Sequence, residues 1–265
     1  MPVLKGKVAV ITGASRGLGK AMAITFAREG ASVALLARTE EPHPRIAGTI
    51  HETAKEIGSF GGLALPIRCN VGAPEDIESA LQSVLGEFGS IDILVHNAAA
   101  NFPGSAVEID PKRWDISMSV NPRALFLMVR WAANAMPSNN GHIISVSPRL
   151  ESAIQSAAPY TLSKQLQTRL ALGLAVELKG QGVAVNCLWP DGQRSTEGVM
   201  LMRGGYVEGM LDAQLFADAA LAIVTKDPTS YTGRTLLDTE VLYEEGLSDL
   251  SRYQPSDAIK ATKFR

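Results

Sequence analysis

Two side chains that can do acid–base chemistry lie four positions apart in the segment Tyr160-Thr161-Leu162-Ser163-Lys164. In a helix this spacing places both side chains on one face, one turn apart. A phenol ordinarily has a pKa near ~10, and a neighbouring ammonium favours its charged form. A Tyr so placed can exchange a proton with an alcohol or carbonyl oxygen at ordinary pH. Because the pattern also occurs by chance in many helices, its interpretation depends on the elements that would position it.

A glycine-rich turn follows the first apolar segment of the chain. Lys7 to Ile11 is short and apolar, as a strand buried on both faces is, and Lys20 to Glu29 is amphipathic. A strand, a glycine-rich turn and a helix start make a dinucleotide site, because the backbone can approach a diphosphate and the helix N-terminus favours its charge. The spacing is Gly-x-x-x-Gly-x-Gly, not that of the commonest fingerprint. The cofactor-binding residues predicted in this turn are Gly13, Ser15, Arg16, Gly17, Leu18 and Gly19.

The residues after the second predicted strand bear on which dinucleotide binds. NAD sites place an acid at this strand end for the ribose 2′-hydroxyl, whereas NADP sites place Arg for the 2′-phosphate. Here Arg38 and Thr39 stand at the strand end, and Arg16 supplies a second cation. Glu40 and Glu41 follow closely and weaken the argument. The two cations favour NADP(H) over NAD(H), with solvated surface arginines as the alternative.

Strand-like and helical segments alternate along the rest of the chain. Thr49 to Ile57 has helical spacing, and Pro74 begins a helix with two acids in its first turn. The further strand-like segments are Ser32 to Ala37, Leu63 to Arg68, Ile91 to Val95, the segment from Gly141, the segment from Val185, and one within Tyr231 to Asp238. The alternation predicts an α/β fold: a single Rossmann-type doubly wound parallel sheet of about seven strands, with helices on both faces, over residues 1–265.

Composition narrows the class of protein. The chain has 265 residues, of which 46% are hydrophobic. Its net charge is −2 and it has no basic run, so we do not expect it to bind nucleic acid. Cys69 and Cys187 lie in apolar surroundings, which favours buried reduced thiols. His51 lacks neighbours with metal-ligand spacing, so we expect a surface residue and no metal site. We expect no signal peptide and no membrane span, and hence a cytoplasmic location.

In combination these segments resemble the short-chain dehydrogenase/reductase family over almost the whole chain. The turn Thr12-Gly13-x-x-x-Gly17-x-Gly19 matches that family's cofactor turn, and Tyr160 with Lys164 matches its signature pair. His96-Asn97-Ala98-Ala99 is similar to its Asn-Asn-Ala-Gly segment, and Asn121 matches its mid-helix Asn. Val185 to Pro190 is similar to the strand that closes over the nicotinamide. The segments Glu41 to Arg45, Ser147-Pro148 and Leu188-Trp189-Pro190 are most similar to the hydroxysteroid-dehydrogenase-like branch, here expected without the carrier domain of some members.

The resemblance implies hydride transfer between a nicotinamide cofactor and an alcohol or carbonyl. Tyr160 would be the general acid in reduction and the general base in oxidation, while Lys164 would lower its pKa and bind the nicotinamide ribose. Ser147 would hold the substrate oxygen, and Asn121 would position a water that leads protons towards Lys164. A helix kink at Asn121-Pro122 is a compatible alternative. The other cofactor contacts implied by the resemblance are Asn70, Val71, Asn97, Ala98, Ala99, Tyr160, Lys164 and Pro190.

The chain departs from the family pattern at the catalytic Ser. Counting forward from Gly141 along the fifth strand places Pro148 at that position, whereas counting back thirteen residues from Tyr160 places Ser147 there. Pro148 cannot bind a substrate oxygen, so Ser147 is the candidate. A strand-end Ser that bonds only to backbone is the alternative. The chain also has Asn70 where the family usually has Asp at the adenine, and Asp191 where it usually has Gly after Pro190. Both changes are tolerable in a binding site.

Residues of about 192–216, the lid segment, correspond to the family's mobile substrate lid. They include Met200, Met202 and Met210, with a break expected at Gly204-Gly205. An adaptable apolar wall would suit a lipophilic alcohol, aldehyde or ketone, although methionines at helical spacing are also ordinary core. Residues of about 247–265, the C-terminal segment, are polar, and we expect them to lie on the surface or fray.

The sequence thus predicts an NADP(H)-dependent oxidoreductase acting on CH–OH groups. By family habit we expect a homodimer or homotetramer that binds a small lipophilic substrate. The alternative is a catalytically weak NADP(H)-binding sensor or scaffold protein, which only the displaced Ser147 and the adjacent Pro148 favour.

Overall fold

The structure is a computed structural model that describes residues 2–102, 105–149 and 158–263. Its strands are β1 (Val8–Thr12), β2 (Ser32–Ala37), β3 (Leu63–Arg68), β4 (Ile93–His96), β5 (Gly141–Val146), β6 (Val183–Trp189) and β7 (Thr235–Leu237). They form one seven-stranded sheet in the order β3-β2-β1-β4-β5-β6-β7, and every neighbouring pair is parallel. The predicted doubly wound parallel sheet is therefore confirmed.

The α-helices lie between and after the strands. They are α1 (Gly17–Arg28), α2 (Ile50–Ser59), α3 (Pro74–Phe88), α4 (Pro111–Met118), α5 (Ala124–Ala132), α6 (Ala158–Leu178), α7 (Glu197–Arg203), α8 (Ala213–Val224), α9 (Asp238–Glu244) and α10 (Asp257–Lys260). Local signals explain several helix starts: Thr49 and Glu52 form a capping box at α2, and Pro occupies the first turn of α3 and α4. Among the described helices, none is both long and apolar enough to cross a membrane.

Each face of the sheet carries its own hydrophobic core. Along β1, Ala9 and Ile11 belong to one core and Val8 and Val10 to the other, because successive side chains of a strand point to opposite faces. Helices α1, α2, α8 and α9 contribute to the first core, and α3, α5 and α6 to the second. Burial on both faces explains why the strands are nearly continuous apolar runs.

The strand order reverses at β1, which pairs with β2 on one side and β4 on the other. In open parallel sheets this reversal leaves a crevice beyond the carboxyl ends of the two diverging strands, where ligands bind. The turn after β1 and the residues after β4 therefore meet at the same place.

The helical region between β4 and β5 is interrupted by a π-helical turn at Ser119–Arg123, between α4 and α5. This turn contains Asn121 and Pro122, both buried. Pro lacks the N–H that a regular helix needs, and a wider turn accommodates that loss. The interruption expected at Asn121-Pro122 is present, and it is compatible with either role foreseen for Asn121.

Candidate active site

The ends of β1 and β4 are tied together by the Thr12 hydroxyl. Thr12 Oγ1 accepts hydrogen bonds from the backbone N–H groups of Asn97 and Ala98, both at 2.9 Å, and donates to Val95 O at 3.3 Å. Asn97 Nδ2 donates to Thr12 O at 2.8 Å. The chain is therefore held in a defined shape on both sides of the crevice.

Two glycines of the turn after β1 are required by close packing. Gly13 has φ +68°, and a Cβ on it would lie 2.8 Å from Asn97 Nδ2. A Cβ on Gly19 would lie 2.3 Å from Gly13 O, a backbone atom that cannot move aside. A side chain at either position would displace the turn, so the missing side chains let the turn pack closely against the residues after β4.

A cavity of about 560 Å³ opens at this edge of the sheet. Ten of the predicted cofactor residues line it: Gly13, Ser15, Arg16, Arg38, Thr39, Asn70, Val71, Asn97, Ala98 and Ala99. Six predicted residues are not part of this lining: Gly17, Leu18, Gly19, Tyr160, Lys164 and Pro190. The lining also contains residues that were not predicted: Leu36, Ala37, Cys69, Ala100, Asn101, Phe102, Ile116 and Val120. Most of these end or follow a strand, which was the available signal, but Ile116 and Val120 come from the α4 region and had none.

The two arginines predicted to favour NADP(H), Arg16 and Arg38, differ in their contacts. Arg16 is committed to the loop before α2, donating from Nε to Ala47 O at 2.8 Å and from Nη2 to Gly48 O at 2.6 Å. The Arg38 side chain is exposed and makes no hydrogen bond or ion pair with any residue that the structure describes. Glu40, which weakened the NADP argument, lies 3.6 Å from Arg68 Nε and is thereby partly neutralised. Of the two arginines that line the cavity, Arg38 is thus the one whose guanidinium has no partner among the described residues.

Tyr160 and Lys164 lie one turn apart on α6, as their spacing predicted. Tyr160 is half-buried and Lys164 is 2% exposed. Lys164 Nζ donates to Val146 O at 2.8 Å and to Gln167 Oε1 at 3.0 Å. Burial raises the pKa of Tyr160 to about 12 and lowers the pKa of Lys164 to about 7. Burial therefore outweighs the lowering of the Tyr160 pKa that was expected from Lys164.

Ser147 lies at the end of β5 with its hydroxyl bonded within the protein. Ser147 Oγ donates to Lys164 O at 3.3 Å and accepts from Thr168 Oγ1 at 3.3 Å, and the residue is 2% exposed. The Ser147 hydroxyl therefore has a backbone contact, as the alternative interpretation expects, and a side-chain contact that neither interpretation foresaw. The role of Ser147 in substrate binding stays a prediction, and residues 150–157, which follow Pro148 and Arg149, lie outside the described residues.

The Asn121 side chain bridges three segments. Its Nδ2 donates to Ala100 O at 3.0 Å and to Ser163 Oγ at 2.8 Å, and its Oδ1 accepts from Ala100 N at 2.9 Å. The backbone oxygen of Asn121 lies 2.9 Å from His96 Nε2. These contacts join the residues after β4 to α6 through the π-helical turn, so Asn121 helps to hold the crevice and α6 together.

His96 was noted in the sequence only as a departure from the family pattern, yet it is a fully buried part of the site. Burial, and then the nearby Lys164 charge, lowers the pKa of His96 to about 3, so its ring is neutral at pH 7. A neutral ring that donates from Nε2 to Asn121 O has an acceptor at Nδ1. That Nδ1 has no partner among the described residues. The His96 imidazole thus ties the end of β4 to the backbone of the π-helical turn.

The lid segment contains α7, which ends at Arg203 with Gly204 in the left-handed region at φ 77°, so the expected break is present. Thr196 caps α7, and Glu197 Oε2 accepts a hydrogen bond from Gly17 N–H at 2.9 Å. The methionines divide: Met200 and Met210 are buried, whereas Met202 is 62% exposed. The lid segment therefore contacts the glycine-rich turn and contributes to both core and surface.

The C-terminal segment packs against the lid segment as far as it is described. Asp212 N donates to Tyr253 O at 2.8 Å, and Tyr253 is 2% exposed. Tyr206 N donates to Thr262 O at 3.3 Å, beside a bridge between Gly205 and Lys263. Over these residues the C-terminal segment is therefore held against the lid segment by backbone contacts.

Comparison with known proteins identifies the class to which this fold and site belong. Residues 7–203 match the sequence model of the family described as short chain dehydrogenase, which is most of the chain. The chain therefore belongs to the short-chain dehydrogenase/reductase family, as the resemblance predicted. Its relatives include the human hydroxysteroid dehydrogenase-like protein 2, which is 36% identical over 255 residues. That match covers 94% of this chain and 60% of the human protein, so the chain spans well under two thirds of that relative's length.

Solved structures of family members have the same architecture. A short chain dehydrogenase from Mycobacterium thermoresistibile is 38% identical, with a TM-score of 0.89 over 98% of this chain and 94% of that one. A metagenomic short-chain oxidoreductase in complex with NADP is 30% identical, with a TM-score of 0.75 over 89% of this chain and 98% of that one. The second relative holds a dinucleotide on this fold.

Proposed function

We propose that this protein is an NADP(H)-dependent oxidoreductase that interconverts a lipophilic alcohol and its ketone or aldehyde. The observation that carries the proposal is the combination of an unpartnered Arg38 on the cavity beyond β1 and β2 with the buried Tyr160–Lys164 pair on α6. Family membership and the NADP complex of a relative support it.

The residues of the cavity fit a dinucleotide. Gly13 lines the cavity without a side chain where a diphosphate would approach. The buried Gly19 lets α1 begin close to this turn, because a Cβ on it would lie 2.3 Å from Gly13 O. The cavity volume of about 560 Å³ is in the range of small-molecule sites. A bound nicotinamide would supply or accept the hydride. Arg38 would pair with a ribose 2′-phosphate, which favours NADP(H) over NAD(H).

Tyr160 is suited to proton transfer with the substrate oxygen. Because burial raises the pKa of Tyr160 to about 12, its phenol is protonated at neutral pH and can act as a general acid when a carbonyl is reduced. In the oxidation direction the phenol would first have to lose its proton, which a charged Lys164 favours electrostatically. Asn121 would hold α6 in place beside the crevice. Ser147 is the candidate to bind the substrate oxygen, once its hydroxyl no longer donates to Lys164 O.

A small lipophilic substrate, a homo-oligomer and a cytoplasmic location form part of this proposal. The exposed Met202 and the partly exposed Leu201 of the lid segment would supply an adaptable apolar wall for the substrate. An open apolar groove between the α4–α5 region and α6 would form the contact between subunits. Its apolar lining comprises Met118, Pro122, Phe126, Leu166 and Leu170.

The second candidate function is an NADP(H)-binding sensor or scaffold protein with weak catalysis. Its support is the Ser147 hydroxyl, which bonds to Lys164 O and Thr168 inside the protein. An enzyme needs a free donor beside the substrate oxygen, whereas a sensor does not.

Titration of the purified protein with NADPH and NADH tests the proposal. Wild type should prefer NADPH, and Arg38→Ala should weaken NADPH binding on the order of 10- to 100-fold while leaving NADH binding nearly unchanged. Arg130→Ala, which removes an exposed Arg on α5 outside the cavity lining, is the matched control. Equal or tighter NADH binding by wild type would refute the NADP(H) assignment.

A screen of lipophilic aldehydes and ketones with the preferred cofactor then separates the two candidate functions. Turnover of any of them that Tyr160→Phe abolishes would exclude the sensor. Tight cofactor binding without turnover across the panel would favour it.

A further inference from the structure

Gln167 was not predicted to take part in the site, yet it shares its hydrogen-bond partners with Lys164. Its Oε1 accepts from Lys164 Nζ at 3.0 Å, and its Nε2 donates to Val146 O at 3.0 Å and to Ser145 Oγ at 2.8 Å. Lys164 Nζ donates to the same Val146 O at 2.8 Å. Gln167 is 0% exposed, so within the described residues its amide is satisfied by these three contacts instead of by water.

The arrangement follows from helix spacing and from the sheet beneath. Lys164 and Gln167 are three positions apart on α6, which puts both side chains on the face that covers β5. An ammonium has three N–H donors, of which two are used here. The two acceptors direct these donors into the protein, so that the third remains for a ligand.

We propose that Gln167 is a positioning residue that holds the Lys164 ammonium in place at the end of β5 and keeps it charged. The inference rests on the proposed function, in which a charged Lys164 assists Tyr160. Gln167 acts through Lys164 and has no contact with substrate in this account. Its amide oxygen stabilises the charged amine, and its amide nitrogen anchors that oxygen to β5.

The surroundings of Lys164 make this acceptor important. The titratable groups near Lys164 are His96 from β4, Cys187 from β6 and Tyr160 from α6 itself. Burial lowers the pKa of His96 to about 3 and raises the pKa values of Cys187 and Tyr160 to about 12, so all three are neutral at pH 7. Within the described part of the chain, the Lys164 charge is therefore stabilised by the oxygens of Val146 and Gln167. Removing one of two acceptors should lower the Lys164 pKa below its already reduced value of about 7.

The test is a titration of Lys164 by NMR, in protein labelled at lysine Cε and Nζ and assigned with Lys164→Met. We expect Gln167→Met to lower the Lys164 pKa by about one unit and to shift the alkaline limb of the kcat/KM profile to lower pH by the same amount. Gln167→Glu, which keeps the acceptor, should restore a pKa at or above the wild-type value. Gln165→Met is the matched control, because Gln165 lies on α6 but makes no hydrogen bond to a described residue.

An unchanged Lys164 pKa in Gln167→Met would overturn the inference. If Gln167→Met does not fold, Ser145→Ala, which removes one of the two acceptors that anchor Gln167 Nε2, should give a smaller shift in the same direction, and no shift would also overturn the inference. Because the NMR titration needs no turnover, a shifted pKa in an enzyme without activity would refute the proposed function and leave the positioning contact standing.

A second inference comes from an independent contact, between Glu197 and Gly17. Glu197 Oε2 lies 2.9 Å from the N–H of Gly17, the first residue of α1. Helix N-termini stabilise anions, and the turn that leads into this one lines the cavity with Gly13, Ser15 and Arg16, where the proposed function puts the cofactor diphosphate. The carboxylate has the charge and the acceptor oxygens of a phosphate, and it reaches this position from α7 of the lid segment.

We infer that Glu197 competes with the cofactor diphosphate for the N-terminus of α1. Two anions cannot share one N–H without strong repulsion, so binding the cofactor has to displace the carboxylate and move the start of α7. Cofactor binding is thereby coupled to the position of the lid segment, and this inference also rests on the proposed function.

Titration of Glu197→Gln with NADPH tests the competition. We expect the Kd to fall about 3- to 10-fold, while adenosine 2′-monophosphate, which has no diphosphate, binds with unchanged affinity. Glu208→Gln makes the same change of charge at an exposed position of the lid segment and should alter neither ligand. Unchanged or weaker NADPH binding by Glu197→Gln would refute the competition alone, whereas absence of binding by every protein would refute both the competition and the proposed function.

Discussion

Arg194 and Asp238 form a buried ion pair that joins the start of the lid segment to the end of β7. Arg194 Nε donates to Asp238 Oδ2 at 2.9 Å and Nη2 donates to Oδ1 at 2.6 Å, with the residues 2% and 0% exposed. Asp238 Oδ1 also accepts from Asp191 N at 2.8 Å, and Arg194 Nη1 donates to Asp191 O at 2.9 Å. One carboxylate and one guanidinium thus hold the turn after β6 in place. This turn in turn fixes where α7, and with it Glu197, begins.

Removing the guanidinium should destabilise the protein strongly. Arg194→Met leaves the Asp238 carboxylate buried without its cation, which costs on the order of 3–5 kcal/mol of unfolding free energy. Urea denaturation of the variant measures this loss. The double variant Arg194→Met/Asp238→Leu removes both charges and should recover much of it, and a double variant as unstable as the single one would contradict this explanation.

Acid stability should depend on His96. Its pKa is lowered by burial from 6.5 to about 3 in the folded protein, so between these values the unfolded chain binds the extra proton. Stability therefore rises with pH across this interval and is lost as pH falls from about 6.5 towards 3. His96→Asn should flatten this part of a plot of Tm against pH.

The turn after β1 should tolerate no side chain at Gly19. Gly19→Ala places a Cβ 2.3 Å from Gly13 O, so we expect a loss of about 1–3 kcal/mol in stability and loss of dinucleotide binding. Gly86→Ala is the control in α3, where a Cβ meets no atom within 4 Å. The free energy of unfolding of Gly86→Ala should equal that of wild type or exceed it by up to about 1 kcal/mol. Thermal unfolding measures the stability of both variants, and NADPH titration measures their cofactor affinity. Normal NADPH binding by Gly19→Ala would contradict the packing argument.

The Tyr160 hydroxyl should be needed for turnover and dispensable for cofactor binding. Tyr160→Phe removes only the oxygen that transfers the proton, so kcat/KM should fall at least about 100-fold while the Kd for NADPH stays within about twofold. Steady-state kinetics and fluorescence titration measure the two quantities. Tyr243→Phe, at a 50% exposed position of α9, should behave as wild type. Retained activity in Tyr160→Phe would exclude Tyr160 as the general acid.

The proposed oligomer should depend on the groove beside α6. Leu166 is 53% exposed and lines that groove, so Leu166→Glu places a charge in the predicted contact between subunits and should shift the protein towards monomer. Sedimentation velocity reports the change. Val176→Glu, at a 77% exposed position of the same helix outside the groove lining, should not alter the distribution. A wild-type monomer, or an unaffected oligomer in Leu166→Glu, would refute this contact.

Much of the fold could be predicted because the signals are local. The apolar segments ending at Ala37 and Arg68 coincide with β2 and β3. Strand β2 is apolar because it is buried on both faces, whereas β3 is a less buried edge strand that the alternation of segments along the chain identified. Ten predicted cofactor residues line one cavity because they follow strands that are parallel, so their ends meet at one edge. The spacing of Tyr160 and Lys164 likewise needs only the geometry of one helix.

The contacts that distinguish this site could not be predicted, because they join residues that are distant in the chain. Glu197 reaches Gly17, His96 reaches the backbone of Asn121, and Gln167 reaches Ser145 only after the helices have packed on the sheet. Burial then decided the pKa directions of Tyr160 and Lys164, against the simple expectation from a neighbouring charge. Sequence periodicity determined which elements form and where their ends gather. Tertiary structure alone determined which side chains share a partner there, because that depends on distances of tenths of an ångström between elements.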